Sequence, residues 1–312
     1  MLLGIDVGGT AIKIGALAEN GDILGRHRLK FVKGMAFDDL VDKILKTCRK
    51  LEDEAGHRSS VLGVCMPGFI DRASGLIIDG GNNVPVLKTS SLPMRLSQLL
   101  DIPFRVENDG VAATMGELHF GAGRGLKRFM LLTIGTGIGG AIAIEGSVVT
   151  GSKGEPPELG AMVLQPSHAA GPGQPGTLEH LTCAAAFLRA YKARSGDGPV
   201  RDLFDLFQQV DAEPAAREAV EEISCYIAQA LGTMINALNL EACVIGGGVA
   251  GAGDKLLSPI RKHLADFAWP YLVRNVKIVP AERGNDAGIL GAAWTASQAL
   301  EKSLLHTTQS AG

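Results

Sequence analysis

The stretch Leu2-Leu3-Gly4-Ile5-Asp6-Val7-Gly8-Gly9-Thr10-Ala11-Ile12-Lys13-Ile14-Gly15-Ala16-Leu17 decides how this chain is organised. An apolar run, one carboxylate, a Gly-Gly-Thr turn and alternating apolar residues are typical of a strand, a tight turn and a returning strand. Glycines permit close backbone approaches at such a turn, and its N–H groups with the Thr10 hydroxyl would face an anion. The Asp6 carboxylate suits a hydrated metal ion. Taken alone, the stretch fits an ordinary β-turn equally well.

The same pattern returns later in the chain. Residues 130–144 form an apolar strand, a Gly135-Thr136-Gly137 turn and a second apolar strand, and residues 242–250 form a strand that ends in three glycines. Two turns suited to phosphate and a late strand–glycine element predict a nucleotide held between two similar halves.

Composition narrows the class of protein. A length of 312 residues favours about two domains, and 46% hydrophobic with 20% charged residues is ordinary for a globular protein. The net charge of −3, the absence of a basic run and 5% aromatic residues argue against nucleic acid as a partner. We find no membrane-spanning run, no leader and no C-x-x-C pair among the five cysteines, so we expect a cytoplasmic protein with reduced thiols and no membrane partner.

Apolar spacing predicts the elements of the first half. We expect a third strand at 23–32, an amphipathic helix at 37–51, a strand buried on both faces at 61–66, a loop region at 69–88 and a short helix at 91–100. A short strand at 104–110 runs into Asn108 and Asp109, followed by a helix at 111–118. Asp109 has a simpler interpretation as the N-cap of that helix, a position that Asp often takes.

In the second half, helices are predicted at 179–191, 200–210, 213–240, 254–267 and 286–300, with strands at 242–246 and 276–280. The boundary is expected near residues 111–121. We therefore predict an N-terminal α/β domain at 1–115, joined by the C-terminal helix 286–302, and a C-terminal α/β domain at 116–285.

These motifs, in this order, resemble the ROK sugar kinases and the related sugar-responsive repressors over essentially the whole chain. The resemblance implies an α/β, two-domain actin-like ATPase (ribonuclease H-like) fold, with each domain a mixed sheet flanked by helices. The matching segments are residues 6–13, Pro67-Gly68 with Asn83, Glu107-Asn108-Asp109, residues 135–139, Glu158-Leu159-Gly160 and Gly246-Gly247-Gly248-Val249.

The resemblance also implies a set of functional residues. Asp109 would accept the proton of a sugar hydroxyl at C6, and Asp6 would orient Mg²⁺ through water. Asn83, Asn108, Asp109, Glu158 and Glu179 would bind the sugar. Closure of the two halves would exclude water. The residues implied in nucleotide binding are Asp6, Gly8, Gly9, Thr10, Lys13, Gly135, Thr136, Gly137, Gly246, Gly247, Gly248 and Val249. For Glu158 and Glu179, a solvated loop residue and a first-turn helix carboxylate are the simpler interpretations.

One departure from the family pattern concerns a zinc motif. The family's G-E-I-G-H and C-x-C-G-x-x-G-C-x-E segments correspond here to residues that cannot serve as usual ligands, namely Ala161, Ala170, Pro172 and Thr177. We therefore predict no structural zinc. A displaced site built from the nearby His168, His180 and Cys183 is the alternative. The missing histidine at Ala161, which in most of the family also touches the sugar, leaves the identity of the sugar open.

The leading hypothesis is an ATP- and Mg²⁺-dependent hexose kinase, comparable to a glucokinase, that binds a small-molecule sugar and a nucleotide and forms a homodimer. A sugar-sensing regulator without catalysis and a polyphosphate-dependent sugar kinase stay open as alternatives. Because the first strand starts at Leu2, we expect no DNA-binding domain before it. An Hsp70-like ATPase module is disfavoured, since no length remains for a peptide-binding domain.

Overall fold

The computed structural model describes residues 1–166, 171–196 and 198–309, with side chains as far as residue 302. The chain forms two compact units. Unit 1 comprises Met1–Gly121, Thr150–Pro156 and the C-terminal stretch from Asn285, and unit 2 comprises Ala122–Val149 and Pro157–Gly284. Among the described residues, every helix is too short or too polar to cross a membrane.

Unit 1 contains a five-stranded mixed sheet and a separate two-stranded hairpin. The strands are β1 (Leu2–Val7), β2 (Ala11–Leu17), β3 (Ile23–Lys30), β4 (Val61–Met66), β5 (Phe69–Asp71), β6 (Leu76–Asp79) and β7 (Phe104–Asn108). The sheet order is β3-β2-β1-β4-β7, with β5 paired to β6. Strands β1, β4 and β7 are parallel, whereas β2 runs antiparallel to both β1 and β3. Every residue of β4 is buried, as its unbroken apolar run predicts.

Three helices follow from the predicted apolar spacing in unit 1. They are α1 (Phe37–Ala55), α2 (Leu92–Leu100) and α3 (Asp109–Phe120). The apolar side of α1 is buried and the helix ends at Gly56, which takes the left-handed conformation that favours glycine. Helix α2 begins with Pro93 in its first turn and a cap from the Ser91 side chain.

The predicted loop at 69–88 is more ordered than its composition indicated. It contains the β5–β6 hairpin and a 3-10 helix at Pro85–Lys88. Gly68 has φ +88°, and a side chain there would overlap the carbonyl oxygen of Asp79. The Asp71 carboxylate closes the hairpin turn by accepting from Ala73 N and Ser74 Oγ, each at 2.9 Å. Buried side chains anchor the same segment, since Ile77, Val84 and Leu87 are part of the hydrophobic core of unit 1.

Unit 2 has a second five-stranded mixed sheet. Its strands are β8 (Arg128–Ile134), β9 (Ile138–Ile144), β10 (Ser147–Val148), β11 (Ala242–Gly246) and β12 (Lys277–Pro280), in the order β10-β9-β8-β11-β12. The helices are α4 (Leu178–Thr182), α5 (Ala184–Ser195), α6 (Leu203–Gln209), α7 (Pro214–Leu238), α8 (Asp254–Leu264) and α9 (Pro270–Asn275). Helix α7 lies in the core, with residues such as Ile227 and Leu231 fully buried.

The prediction of one helix over 179–191 was wrong. The chain breaks at Cys183, which is extended (φ −64°, ψ 165°) and separates α4 from α5. The break lets the backbone N–H of Ala184 donate to the carbonyl oxygen of Gly135 at 2.8 Å. A hydrogen bond to the turn between β8 and β9 thus replaces one within the helix.

The last helix, α10 (Ala287–Gln309), belongs to unit 1 and packs on α3, β1 and β4. The approach to α3 is so close that a side chain on Gly291 would overlap the carbonyl oxygen of Ala112, and one on Gly116 would overlap that of Ala287. Likewise, Gly4 and Gly63 leave room for the α10 backbone against the sheet. Glycines on both partners therefore determine how near this helix lies to the carboxyl end of β1.

Candidate active site

The first glycine turn of unit 1 lies beside an ion pair. Gly8 N donates to Ala11 O at 2.9 Å across the turn, and Thr10 is exposed. The Lys13 ammonium lies 2.7 Å from Asp6 Oδ2. Asp6 and Lys13 are directly opposite in the β1–β2 register, so the strand pairing itself places a cation against the carboxylate next to the turn.

The strand-to-helix junction after β7 brings Asn108 and Asp109 to the same end of the sheet. The N-cap of α3 is Asn108, whose Oδ1 accepts from Gly110 N at 2.8 Å and Val111 N at 3.2 Å. The interpretation of Asp109 as the cap is therefore wrong. Because Asn108 satisfies these N–H groups, the Asp109 carboxyl is not needed as the cap, and its Oδ1 accepts from Gly110 N at 2.8 Å.

Two acidic side chains interact at this end of the sheet. Burial of the Asp109 carboxyl, together with the negative charge of Asp6, raises its pKa from 3.8 to about 6, although the Gly110 N–H and Lys13 act in the opposite direction. Asp109 nevertheless keeps part of its surface accessible. A partly accessible carboxyl with a pKa near neutrality is suited to accepting a proton at physiological pH.

Two residues near this pair were not predicted as part of the site. Cys65 lies next to Asp6 in the β1–β4 register, is fully buried, and places its Sγ 3.6 Å from Gly288 O. A side chain on Gly288, in the first turn of α10, would come within 3.1 Å of Asp6 Oδ2. The strand pairing of Asp6 with Cys65 could not be read from local sequence, but the glycine at the start of the last helix was a usable signal.

The two asparagines predicted to bind sugar are in different surroundings. The exposed Asn83 lies against Gly9 of the first turn, where a Cβ would overlap it. Asn108 donates through Nδ2 to Gly68 O at 3.1 Å while its Oδ1 caps α3. An amide nitrogen carries two hydrogens, so within the described part of the chain one Asn108 donor is available for a ligand.

In unit 2, Glu179 organises the second glycine turn. Its Oε2 accepts from Ile138 N at 2.9 Å, and a Cβ on Gly137 would lie 2.6 Å from that oxygen. The turn itself is closed by Gly135 N donating to Gly137 O at 3.0 Å, and Thr136 is exposed at its tip. Glu179 stands in the first turn of α4, so a predicted sugar ligand also supports a predicted phosphate turn.

The segment around Glu158 is held by hydrogen bonds. Glu158 is exposed and precedes a 3-10 helix at Leu159–Ala161. After this helix, Leu178 N donates to Met162 O at 2.8 Å, and Val163 forms an antiparallel β-bridge with Thr177. Gln229 Nε2 also donates to Leu164 O at 3.1 Å. These contacts order the two ends of the segment that corresponds to the family's zinc motif.

The third glycine element follows β11. Gly247 has φ +80° and lies so close to the backbone of Ile134, at the end of β8, that a side chain would overlap it. A Cβ on Gly248 would meet nothing within 4 Å, whereas the Val249 side chain is buried in the core. A ligand at this element would thus meet backbone rather than the Val249 side chain.

Across the part of the chain that the structure describes, no group of three or more His, Cys, Asp or Glu side chains could hold a metal ion. Ala170 of the altered motif and the nearby His168 lie outside the described residues. The absence of structural zinc thus stays a prediction. Elemental analysis should find well under one zinc per chain, and a chelator should leave the melting temperature unchanged; stoichiometric zinc whose removal lowers that temperature would contradict it.

The sequence and the fold of this chain are similar to those of known proteins. The sequence model of the ROK family matches residues 2–299. The glucokinase of Thermotoga maritima is 33% identical over 314 residues, covering 94% of this chain and 96% of the relative. The glucokinase of Halalkalibacterium halodurans is 31% identical over 319 residues, covering 95% and 94%. A ROK family glucokinase from Streptomyces griseus, solved with glucose and AMPPNP, superposes with a TM-score of 0.81 at 26% identity, covering 95% of this chain and 99% of that one.

The fold is thus the mixed α/β, actin-like ATPase fold of sugar kinases, and that prediction is confirmed. The chain belongs to the ROK family, and the enzyme class predicted from its motifs, a sugar kinase, is confirmed as well.

Proposed function

We propose that this protein transfers the γ-phosphoryl group of ATP to the 6-hydroxyl of a hexose, glucose being the first candidate, with Asp109 as the general base. The observation that carries the proposal is the Asp109 carboxyl at the end of β7, partly accessible and with its pKa raised to about 6. The names of the two glucokinase relatives and the glucose and AMPPNP bound to the Streptomyces griseus enzyme support the substrates.

In the proposed reaction, the sugar hydroxyl gives its proton to a carboxylate oxygen of Asp109. The hydroxyl oxygen forms a bond to the γ-phosphorus, the bond from that phosphorus to the bridging oxygen breaks, and ADP leaves with the electron pair. Such a transfer needs positioning and charge neutralisation more than covalent participation by the protein. The backbone N–H groups of residues 8–10 and 135–137 would bind phosphate oxygens.

The surroundings of Asp6 fit a hydrated Mg²⁺. The ion prefers oxygen ligands and keeps several waters, and Asp6 offers a partly exposed carboxylate. When bound, Mg²⁺ would neutralise phosphate charge. The ammonium of Lys13 holds Asp6 Oδ2, which fixes the orientation of the carboxylate.

Hydroxyls of the sugar would be bound by the remaining polar groups of each unit. Unit 1 supplies the exposed Asn83 and the free donor of Asn108, and unit 2 supplies the exposed Glu158 and the half-buried Glu179. Ala161 has no polar side-chain group, so it contributes nothing to hydroxyl recognition at its position.

The identity of the sugar and donor is tested by a product screen. Purified protein is incubated with individual hexoses and either Mg²⁺-ATP or inorganic polyphosphate, and sugar phosphate is quantified. We expect product with ATP and at least one hexose. Product with polyphosphate alone would replace ATP as the donor, and sugar binding without product under any condition would favour a regulator and overturn the proposal.

The pH dependence should reflect the raised pKa of Asp109. A base works in its ionised form, so kcat/KM at limiting substrate should fall about tenfold per pH unit below pH 6 and level off above pH 7. Nucleotide ionisation also affects the rate. The kcat/KM of the wild type is therefore divided by the kcat/KM of Asp109→Asn at the same pH. A ratio that stays flat down to pH 4.5 would contradict the assignment.

A further inference from the structure

The residue that precedes Asn108 and Asp109 in the sequence takes part in a buried ion pair. Glu107, in β7, is only 6% exposed, and Arg72 Nη2 lies 2.7 Å from its Oε1 and 2.8 Å from its Oε2. Burial raises the pKa of the Glu107 carboxyl, and the Arg72 guanidinium lowers it. Without this cation the carboxylate would be an uncompensated buried charge.

The segment that carries Arg72 touches the same junction at a second point. Gly68, just before β5, accepts from Asn108 Nδ2 at 3.1 Å, and Arg72 follows β5 in the hairpin turn. Glu107 and Asn108 thus connect the end of β7 to residues 68–72 through two separate contacts. The Oδ1 of Asn108 accepts from Gly110 N and Val111 N. These hydrogen bonds cap the first turn of α3, which contains Asp109.

A neighbouring stretch of unit 1 restrains the Arg72 side chain. A Cβ on Gly154, which has φ +86°, would overlap its guanidinium. Backbone N–H groups lower the pKa of the neighbouring Glu155 most, and the charge of Arg72 adds a smaller effect in the same direction. Gly154 and Glu155 both belong to the Thr150–Pro156 stretch of unit 1. Although its side chain is 44% exposed, Arg72 is therefore not a freely moving surface arginine.

We propose that Arg72 is a positioning residue for the reaction: through Glu107 it fixes the strand-to-helix junction that places Asp109. The inference rests on the proposed function of Asp109 as the base. A shift of about 1 Å in a reacting group can cost on the order of 10²-fold in rate, so loosening this junction lowers turnover even though Arg72 is not itself assigned to the substrate.

The test uses Arg72→Gln, which removes the charge and keeps a polar side chain. We expect kcat to fall at least ~10-fold in protein that circular dichroism shows to be folded. KM for ATP should stay within about twofold, because the first glycine turn is closed by its own backbone hydrogen bond. Should this variant not fold, Arg72→Lys keeps the charge but loses the planar fork, and we expect a smaller fall in the same direction.

Arg58→Gln is the matched control. Arg58 Nη1 lies 2.8 Å from Oε2 of Glu52, which is 3% exposed and also lies in unit 1, and neither residue is in the predicted site. Glu52 keeps a second cation, since Arg49 Nη1 lies 3.0 Å from its Oε2, so loss of the Arg58 contact should lower stability modestly and leave kcat within about twofold. An unchanged kcat in folded Arg72→Gln, or an equal loss in Arg58→Gln, would overturn the inference.

Amide hydrogen exchange separates this inference from the proposed function. Exchange at Gly110 and Val111, whose N–H groups are held by Asn108, should become faster in Arg72→Gln and stay unchanged in Arg58→Gln. If the wild-type protein phosphorylates no sugar, the proposed function fails and exchange alone decides whether Arg72 fixes the junction. Unchanged exchange in Arg72→Gln would overturn that claim too.

Discussion

Replacing Asp109 by asparagine is expected to lower kcat by at least ~10²-fold, the usual value of a general base, and to stabilise the fold at pH 7. Asparagine has nearly the same shape, and its Oδ1 can still accept from Gly110 N, as the carboxylate does at 2.8 Å. What it cannot do is take a proton from a sugar hydroxyl. The fall in kcat should therefore come with intact sugar binding.

The effect on stability follows from the direction of the pKa shift. The pKa of Asp109 is 3.8 unperturbed and about 6 in the fold, so the folded protein binds this proton more tightly than the unfolded chain does. The resulting stabilisation is fully present below about pH 4 and is lost as the pH rises through 6. Asparagine resembles the protonated form, so at pH 7 the variant should be more stable by up to ~3 kcal/mol, at about 1.4 kcal/mol per pKa unit.

Urea unfolding at pH 7 and pH 4, together with steady-state kinetics, measures both effects. The gain in stability should shrink towards zero at pH 4. Asp42→Asn is the control, because Asp42 is exposed on α1 and should change neither quantity appreciably. Near-normal turnover in Asp109→Asn would eliminate the base assignment, and a less stable variant at pH 7 would contradict the raised pKa.

Replacing Gly291 by alanine is expected to destabilise unit 1 by about 3 kcal/mol or more, the upper end for overpacking. A Cβ there would overlap the Ala112 carbonyl and lie 2.8 Å from Gly116 N. These are backbone atoms of α3, so no side-chain rotation relieves the overlap. The two helices would have to separate, which would disturb the start of α10, where Gly288 packs near Asp6.

Thermal unfolding measures this effect, and a fall of about 6 °C or more in the melting temperature is expected. Gly251→Ala is the matched control, because a Cβ there would meet nothing within 4 Å, and it should shift the melting temperature by less than about 2 °C. Equal melting temperatures for the two variants would show that the α3–α10 contact is looser than described.

Local sequence was sufficient wherever one segment carries its own signal. The apolar run of residues 61–66 and the strand that ends in three glycines at 242–248 lie where predicted. So does the strand-to-helix junction at Asp109, because a short strand followed by polar residues and small helix formers leaves few alternatives.

Contacts between distant residues were not predictable in the same way. Asn108 and Asp109 are both good N-cap residues, and Asn108, the one that caps α3 through Oδ1, also donates through Nδ2 to the distant Gly68 O. At the break at Cys183, Ala184 N donates to Gly135 O, a partner that lies far away in the sequence. The Arg72–Glu107 pair joins residues 35 positions apart, and no periodicity records such a partner.

The central claim is that this chain phosphorylates a hexose at its 6-hydroxyl with Asp109 as the base. It is tested most directly by ³¹P NMR of the products formed from glucose and Mg²⁺-ATP by the wild type and by Asp109→Asn. We expect the wild type to form ADP and one sugar phosphate whose phosphorus couples to the two protons on C6, and the variant to form at most ~1% as much in the same time. A phosphate on another carbon, or equal product from both proteins, would contradict the account.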